Sequence, residues 1–204
     1  MRVNTIRLRV VLGSLAILLP WIVAALNGRI PGSISETYYV SQCITPFMGI
    51  LVSCSILLMC YKGYNWLDDI VLSLAGLMGL GICLFPCSIS GGARTVGTFN
   101  IDKWVSNDIH CICALVFFIL LSYNSLFLFT KGDGNPTKKK KIRNIIYIIC
   151  GIGMIASFGI LLLPYFRIQI WLVETIALFF FGVSFLTKAD VFPFLFCDTP
   201  YTDD

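Results

Sequence analysis

Residues 109–130, IHCICALVFFILLSYNSLFLFT, contain no Asp, Glu, Lys or Arg. A helix crossing a hydrocarbon core about 30 Å thick needs about 20 mostly apolar residues, and this stretch meets that length without interruption. Five further windows bounded by charges, Gly, Pro or Asn do the same, at approximately 6–26, 41–61, 70–85, 144–163 and 168–187. The third window is short and Gly-rich, so it is expected to borrow length from residues 67–69 or 86–88. Composition agrees, because 57% of residues are hydrophobic and 13% charged, against about 45–50% and about 25% in soluble domains. The fold class expected is therefore all-α, a polytopic membrane protein built as a bundle of six transmembrane helices. With no connection much longer than residues 86–108, residues 1–204 read as a single transmembrane domain.

Orientation follows from the basic residues, which favour cytoplasmic loops. With the N-terminus inside, 11 of the 15 Lys and Arg fall on the inner side, leaving Arg29, Arg94, Lys103 and Arg167 outside. Both termini are thus expected in the cytoplasm. Arg2, Arg7 and Arg9 before an apolar run resemble a secretory leader, but the run is long for an h-region, holds Pro20-Trp21 and lacks a small-residue cleavage site.

Most of the nine cysteines lie within spans, where Cys packs as a small hydrophobe. Cys43 and Cys87 both fall near the outer boundary, which leaves a bridge between them open. A single histidine and no CxxC pair argue against a metal site of Cys/His type, and no cofactor is expected.

The loop before the fifth span carries Lys138, Lys139, Lys140, Lys141 and Arg143 behind a Gly-Asn-Pro turn. Such a run sets topology and lies against anionic lipid headgroups, each charge contributing about 1 kcal/mol. Nucleic acid is not expected as a partner, since no aromatic platform accompanies the lysines. Small residues recur in the third and fifth spans (Ala75, Gly76, Gly79, Gly81; Gly151, Gly153, Ala156, Gly159), as close packing of helices in lipid requires. Asp68 and Asp69 suit the positive end of the third helix. Asn124 is expected to make a buried hydrogen bond between helices.

Charge at membrane depth points to function, because it costs several kcal/mol unless paired or hydrated. Glu174, in the sixth span, is the clear case and should face the bundle interior. Its candidate partners are Arg167, two turns above on the same face, and His110 with the acids and Arg94 of the preceding loop. The polar run Ser33-Ile34-Ser35-Glu36-Thr37-Tyr38-Tyr39 lies on the same side. Ser33, Ser35, Glu36, His110, Arg167 and Glu174 are therefore the candidate ligand-binding residues, with Ser35 and Glu36 folding inward as the rim of a site.

Ile34-Ser35-Glu36 after Pro-Gly, Cys60-Tyr-Lys-Gly-Tyr64, Phe85-Pro86, His110 before Ala114-Leu-Val-Phe-Phe118, and Trp171-Leu-Val-Glu174 follow one another in an order that resembles a set of uncharacterised bacterial six-span proteins. More distantly it resembles the eukaryotic DRAM/Sfk group, which includes a GPI-anchor remodelling protein and autophagy modulators. The resemblance implies six helices in a bacterial plasma membrane, a connection to membrane lipid, and Ser35, Glu36, His110 and Glu174 as the matching positions. Outer loops of the eukaryotic group are richer in acids and aromatics, so no ligand is carried over. The alkaline ceramidase and adiponectin-receptor hydrolases need several histidines around one metal, and this chain has one.

Three functions remain in order. The first is binding of a lipid or small amphiphile in a polar cavity open to the outer side. The second is an oligomeric pore, transporter or membrane-acting effector, for which assembly of a homo-oligomer is left open. The third is a lipid-directed hydrolase with His110 as base near Ser33 or Ser35, which lacks a nucleophile motif. Membrane lipids are the expected partners.

Overall fold

The computed structural model describes residues 2–63, 65–132, 137–160 and 169–191. Six long helices carry the chain: α1 (Arg2–Asn27), α2 (Ser41–Met59), α3 (Trp66–Leu84), α4 (Lys103–Tyr123), α5 (Lys138–Gly159) and α6 (Ile170–Lys188). All six contain stretches long and apolar enough to cross a membrane, and the chain is an all-α six-helix bundle of integral-membrane type. Each helix packs on its neighbours in sequence and α6 closes against α1, so the bundle is a ring in chain order, with α4 also touching α6.

Four helices start earlier than hydropathy placed them: α1 at Arg2, α3 at Trp66, α4 at Lys103 and α5 at Lys138. The third gains its first turn from Trp66 to Asp69, where Asp69 accepts the Gly63 amide at 2.8 Å and pairs with Lys62 at 3.1 Å. The fourth starts at Lys103, because the Asp102 carboxylate accepts the Trp104 amide at 2.9 Å and caps a polar first turn that a hydropathy window passes over. It follows a two-stranded ribbon of β1 (Thr95–Val96) and β2 (Ile101–Asp102). The end placed at residue 163 lies outside the described residues.

The bundle is apolar on both sides. Phe47, Leu72, Phe117, Met154, Phe181 and Phe185 are buried inside. Ile142, Ile145, Ile149, Ile152 and Ile155 form one exposed stripe on α5 at helical spacing. In water such a face would demand cover; in a bilayer it meets acyl chains.

Small residues do bring helices together, but not the third against the fifth. A side chain at Gly76 or Gly79 would strike Ser55 on α2, one at Gly151 would strike Leu126 from the chain following α4, and one at Gly182 would strike Gly13 and Ile17 on α1. Hydroxyls then bond across the seams: Ser122 donates to the Gly151 carbonyl at 2.7 Å and Ser125 to the Tyr147 carbonyl at 2.9 Å. Asn124 does not. It opens a π-helical turn (Asn124–Leu128), closed by the Phe129 amide on the Asn124 carbonyl at 2.9 Å, and its buried side-chain amide has no hydrogen-bond partner among the described residues. The helix-to-helix bonds expected of it come from the two serines instead.

Asp68 is buried beside Lys131 at 3.6 Å, so it ties α3 to the chain after α4 rather than serving only the helix dipole. Cys43 and Cys87 are both free. Burial pushes the Cys87 thiol up to about 12, which keeps it protonated at neutral pH.

Candidate functional site

The segment between α1 and α2 is not a connector lying over the surface. α1 stops at Asn27 because Gly28 takes a φ of 72°, a left-handed conformation that favours glycine. The chain then turns down into the bundle. The Trp171 amide, at the start of α6, donates to the Gly32 carbonyl at 2.9 Å. The Ile34 amide donates to Glu174 Oε2 at 2.6 Å. A short 3₁₀ turn (Ser35–Tyr39) follows, in which Ser33 Oγ accepts the Glu36 amide at 3.0 Å and Thr37 Oγ1 donates to the Ile34 carbonyl at 2.6 Å.

This geometry sorts the residues of the turn. Ser35 is buried and points inward; its Oγ lies 3.0 Å from His110 Nε2 and 3.4 Å from Glu174 Oε1. Ser33 is also buried, but its Oγ accepts the Glu36 amide that closes the turn, and it is Ser35 rather than Ser33 that is bonded to His110. Glu36 is exposed and does not fold inward, contrary to the sequence expectation. It lies one residue beyond Ser35 on a turn of about three residues, and its carboxylate stays in the polar groove beside Gly32 and Arg29. Arg167 lies outside the described residues.

His110 is held from the other side by the chain leaving α3. Four consecutive residues there are pinned: the Phe85 carbonyl to His110 Nδ1 at 2.8 Å, the Pro86 carbonyl to Ser106 Oγ at 2.8 Å, the Cys87 carbonyl to the Tyr39 hydroxyl at 2.6 Å, and the Ser88 amide to Asn107 Oδ1 at 2.9 Å. Burial, with Cys87 and Tyr38 nearby, raises Tyr39 to about 12, so its hydroxyl remains a donor.

A carbonyl only accepts, so His110 Nδ1 bears a proton. In the neutral ring Nε2 is then a lone pair facing Ser35, which donates to it. With both ring nitrogens protonated the direction reverses: Nε2–H donates to Ser35 Oγ, whose own proton turns to Glu174 Oε1. Glu174, Ser35 and His110 thus form one hydrogen-bonded line.

Below this line lies a cavity of about 60 Å³. Ser35 and Glu174 form its polar edge, and Ala114, Phe117, Phe118 and Leu178 are among its apolar walls. Ala114, Phe117 and Phe118 are four, seven and eight residues past His110, and Leu178 is four past Glu174, so each polar group and its apolar neighbours share a helix face. Glu174 sits in only the second turn of α6. It is shallower than hydropathy suggested, and the loop descends to meet it.

Sequence reasoning named Ser35, His110 and Glu174, which the structure brings together, and missed the two backbone groups that orient them, the Ile34 amide and the Phe85 carbonyl. Phe85-Pro86 was visible as a motif, but a carbonyl has no residue-type signal. Among the described residues no three His, Cys, Asp or Glu side chains converge as a metal site. The basic run divides: Lys140 and Arg143 turn into a cavity at the opposite end of the bundle, Lys141 is exposed and Lys139 half-buried. Lys138 lies in the first turn of α5. No family model, curated protein or solved structure matches the chain.

Proposed function

We propose that the protein binds a lipid or small amphiphile, with a hydrogen-bonding head at Glu174, Ser35 and His110 and an apolar portion in the cavity beneath. The observation that carries this reading is that Ser35, bonded to both Glu174 and buried His110, edges an otherwise apolar cavity together with Glu174. Ligand sites combine these features: apolar walls with a few convergent polar groups. At about 60 Å³ the cavity takes the end of one chain or a few waters, not a whole lipid, so the remainder of the ligand lies between helices or in the bilayer.

The site opens to the outer face, with both termini cytoplasmic, in a bacterial plasma membrane. Arg9, Lys62, Lys131, Lys140, Arg143 and Lys188 gather at the bundle end opposite Ser35, which supports this orientation through the positive-inside tendency. Green fluorescent protein fused at the C-terminus should then fluoresce; a dark fusion, with alkaline phosphatase active at the same point, would reverse the assignment.

A second reading, a lipid-directed hydrolase, is favoured by one distance, the 3.0 Å between Ser35 Oγ and His110 Nε2. Neutral His110 would take the Ser35 proton as the oxygen attacks an acyl carbonyl and return it to the leaving alcohol, and water activated by the same ring would then hydrolyse the acyl-serine to free fatty acid and Ser35. No pair of backbone amides aimed at an oxyanion accompanies the serine among the contacts described, which places this reading second.

One experiment addresses both. Wild-type, Glu174→Gln and Ser35→Ala proteins are purified and their retained lipids identified by native mass spectrometry. Glu174→Gln should retain roughly tenfold less of the co-purifying amphiphile, the effect of losing one charge-assisted hydrogen bond. Equal retention in all three would sink the binding reading. Free fatty acid accumulating with wild type but not Ser35→Ala would move the hydrolase to first place.

A further inference from the structure

At the bundle end opposite Ser35 lies a second cavity, of about 210 Å³. Arg9, Lys131, Lys140, Arg143 and Lys188 line it, and Asp190 is the one carboxylate among its lining residues. These cations come from α1, the chain after α4, α5 and α6, so the basic run of α5 supplies only two of them. A topology signal requires positive charge near the membrane but not convergence of four separate segments on one hollow.

Four of these cations have defined partners. Arg9 Nε donates to the Tyr61 hydroxyl at 2.8 Å and its Nη1 to the Lys188 carbonyl at 3.0 Å. Both acceptors are neutral, so the guanidinium is positioned without its charge being cancelled by them. Lys188 Nζ stands over the rings of Phe129 and Tyr147, at 5.1 and 5.7 Å, and donates to the Phe129 carbonyl at 3.3 Å. Arg143 pairs with Asp190 at 2.9 Å, and that carboxylate is mostly exposed. Lys131 leans toward Asp68 at 3.6 Å.

We propose that this cavity binds a phosphoryl group, carried either by an anionic lipid headgroup or by a free phosphate compound. Arginine forks and lysine ammonium groups are the side chains that match phosphate oxygens. The volume is below the roughly 300–1,000 Å³ of sites for drug-sized ligands, which suits a headgroup-sized anion. The site lies where the inner lipid phosphates would be if the basic end is cytoplasmic, and it is independent of the Ser35 cavity.

The test uses the full chain in neutral detergent, titrated with phosphatidylglycerol and followed by native mass spectrometry, with inorganic phosphate titrated separately in a thermal-shift assay. Arg9→Gln and Lys140→Gln should each weaken phosphatidylglycerol binding roughly tenfold. Lys141→Gln, an equal loss of charge one residue along on an exposed position, should leave it nearly unchanged. Since Arg9 also joins α1 to Tyr61, Lys140→Gln carries the comparison if Arg9→Gln does not fold. Binding of phosphatidylglycerol without an effect of phosphate identifies a lipid headgroup; protection by phosphate, lost in Lys140→Gln, identifies a free phosphate compound. Equal losses in Lys140→Gln and Lys141→Gln, or no binding of either probe, overturn the proposal in favour of diffuse surface charge.

Discussion

Glu174→Ala is expected to lower the thermal midpoint of the purified protein well below wild type, whereas Glu174→Gln should stay close to it. The difference lies in what each leaves for the Ile34 amide, which donates to Glu174 Oε2 at 2.6 Å. Glutamine retains a carbonyl oxygen that can accept that bond. Alanine leaves a buried N–H with no acceptor, a cost of roughly 1–3 kcal/mol, and also frees Ser35 Oγ from one of its two contacts. The descending loop would then be held to α6 mainly through the Trp171 amide on the Gly32 carbonyl. Faster hydrogen exchange at residues 32–39 in Glu174→Ala than in Glu174→Gln should accompany the shift. Equal midpoints for the two variants would show that the carboxylate does not anchor the loop, and would remove the structural basis of the site. The Gln variant matters equally for function, because it is the one in which lost amphiphile binding cannot be ascribed to a lost fold.

The second large effect is expected at the seam between α1 and α6. A Cβ placed on Gly182 would stand 2.6 Å from the Gly13 carbonyl oxygen and would also strike Ile17. Since the obstacle includes backbone, a rotamer change cannot remove it, and the helices must part. Gly182→Ala should cost about 1–3 kcal/mol, the usual range for overpacking, and Gly182→Val more. Loss of the monodisperse peak in size exclusion for Val, with an intermediate midpoint for Ala, is the expected order. Gly49, whose added Cβ would meet nothing within 4 Å, is the control: Gly49→Ala should be neutral or slightly stabilising, as its helix gains propensity. If Gly182→Ala matched Gly49→Ala, the α1–α6 contact would not be the close one described.

The six spans were legible because hydropathy is a property of each helix taken alone. What was misjudged were starts, at Trp66, Lys103 and Lys138, where Asp68, Asp69, Asp102 and the lysines of α5 lie in or next to a first turn and a hydropathy window registers only their charge. In the site, His110 and Glu174 stood out as the lone histidine and the lone acid inside an apolar window. Ser35 could not be separated from Ser33, nor could Glu36 be sent outward, because both outcomes depend on the phase of a five-residue 3₁₀ turn. That phase is fixed by bonds to residues about 140 positions away in the chain, Gly32 to Trp171 and Ile34 to Glu174.

The same division holds at the basic end. Composition and spacing were enough to specify an all-helical membrane chain and a lysine-rich loop, since each reflects transfer of local groups between water and hydrocarbon. Whether Lys140 and Lys141, identical and adjacent, face a cavity or open space was decided by the tertiary structure alone. A helix rotates by about 100° per residue, so neighbours in sequence meet different surroundings. Which surroundings those are depends on the ring of helices that brings Arg9, Lys131 and Lys188 to the same place.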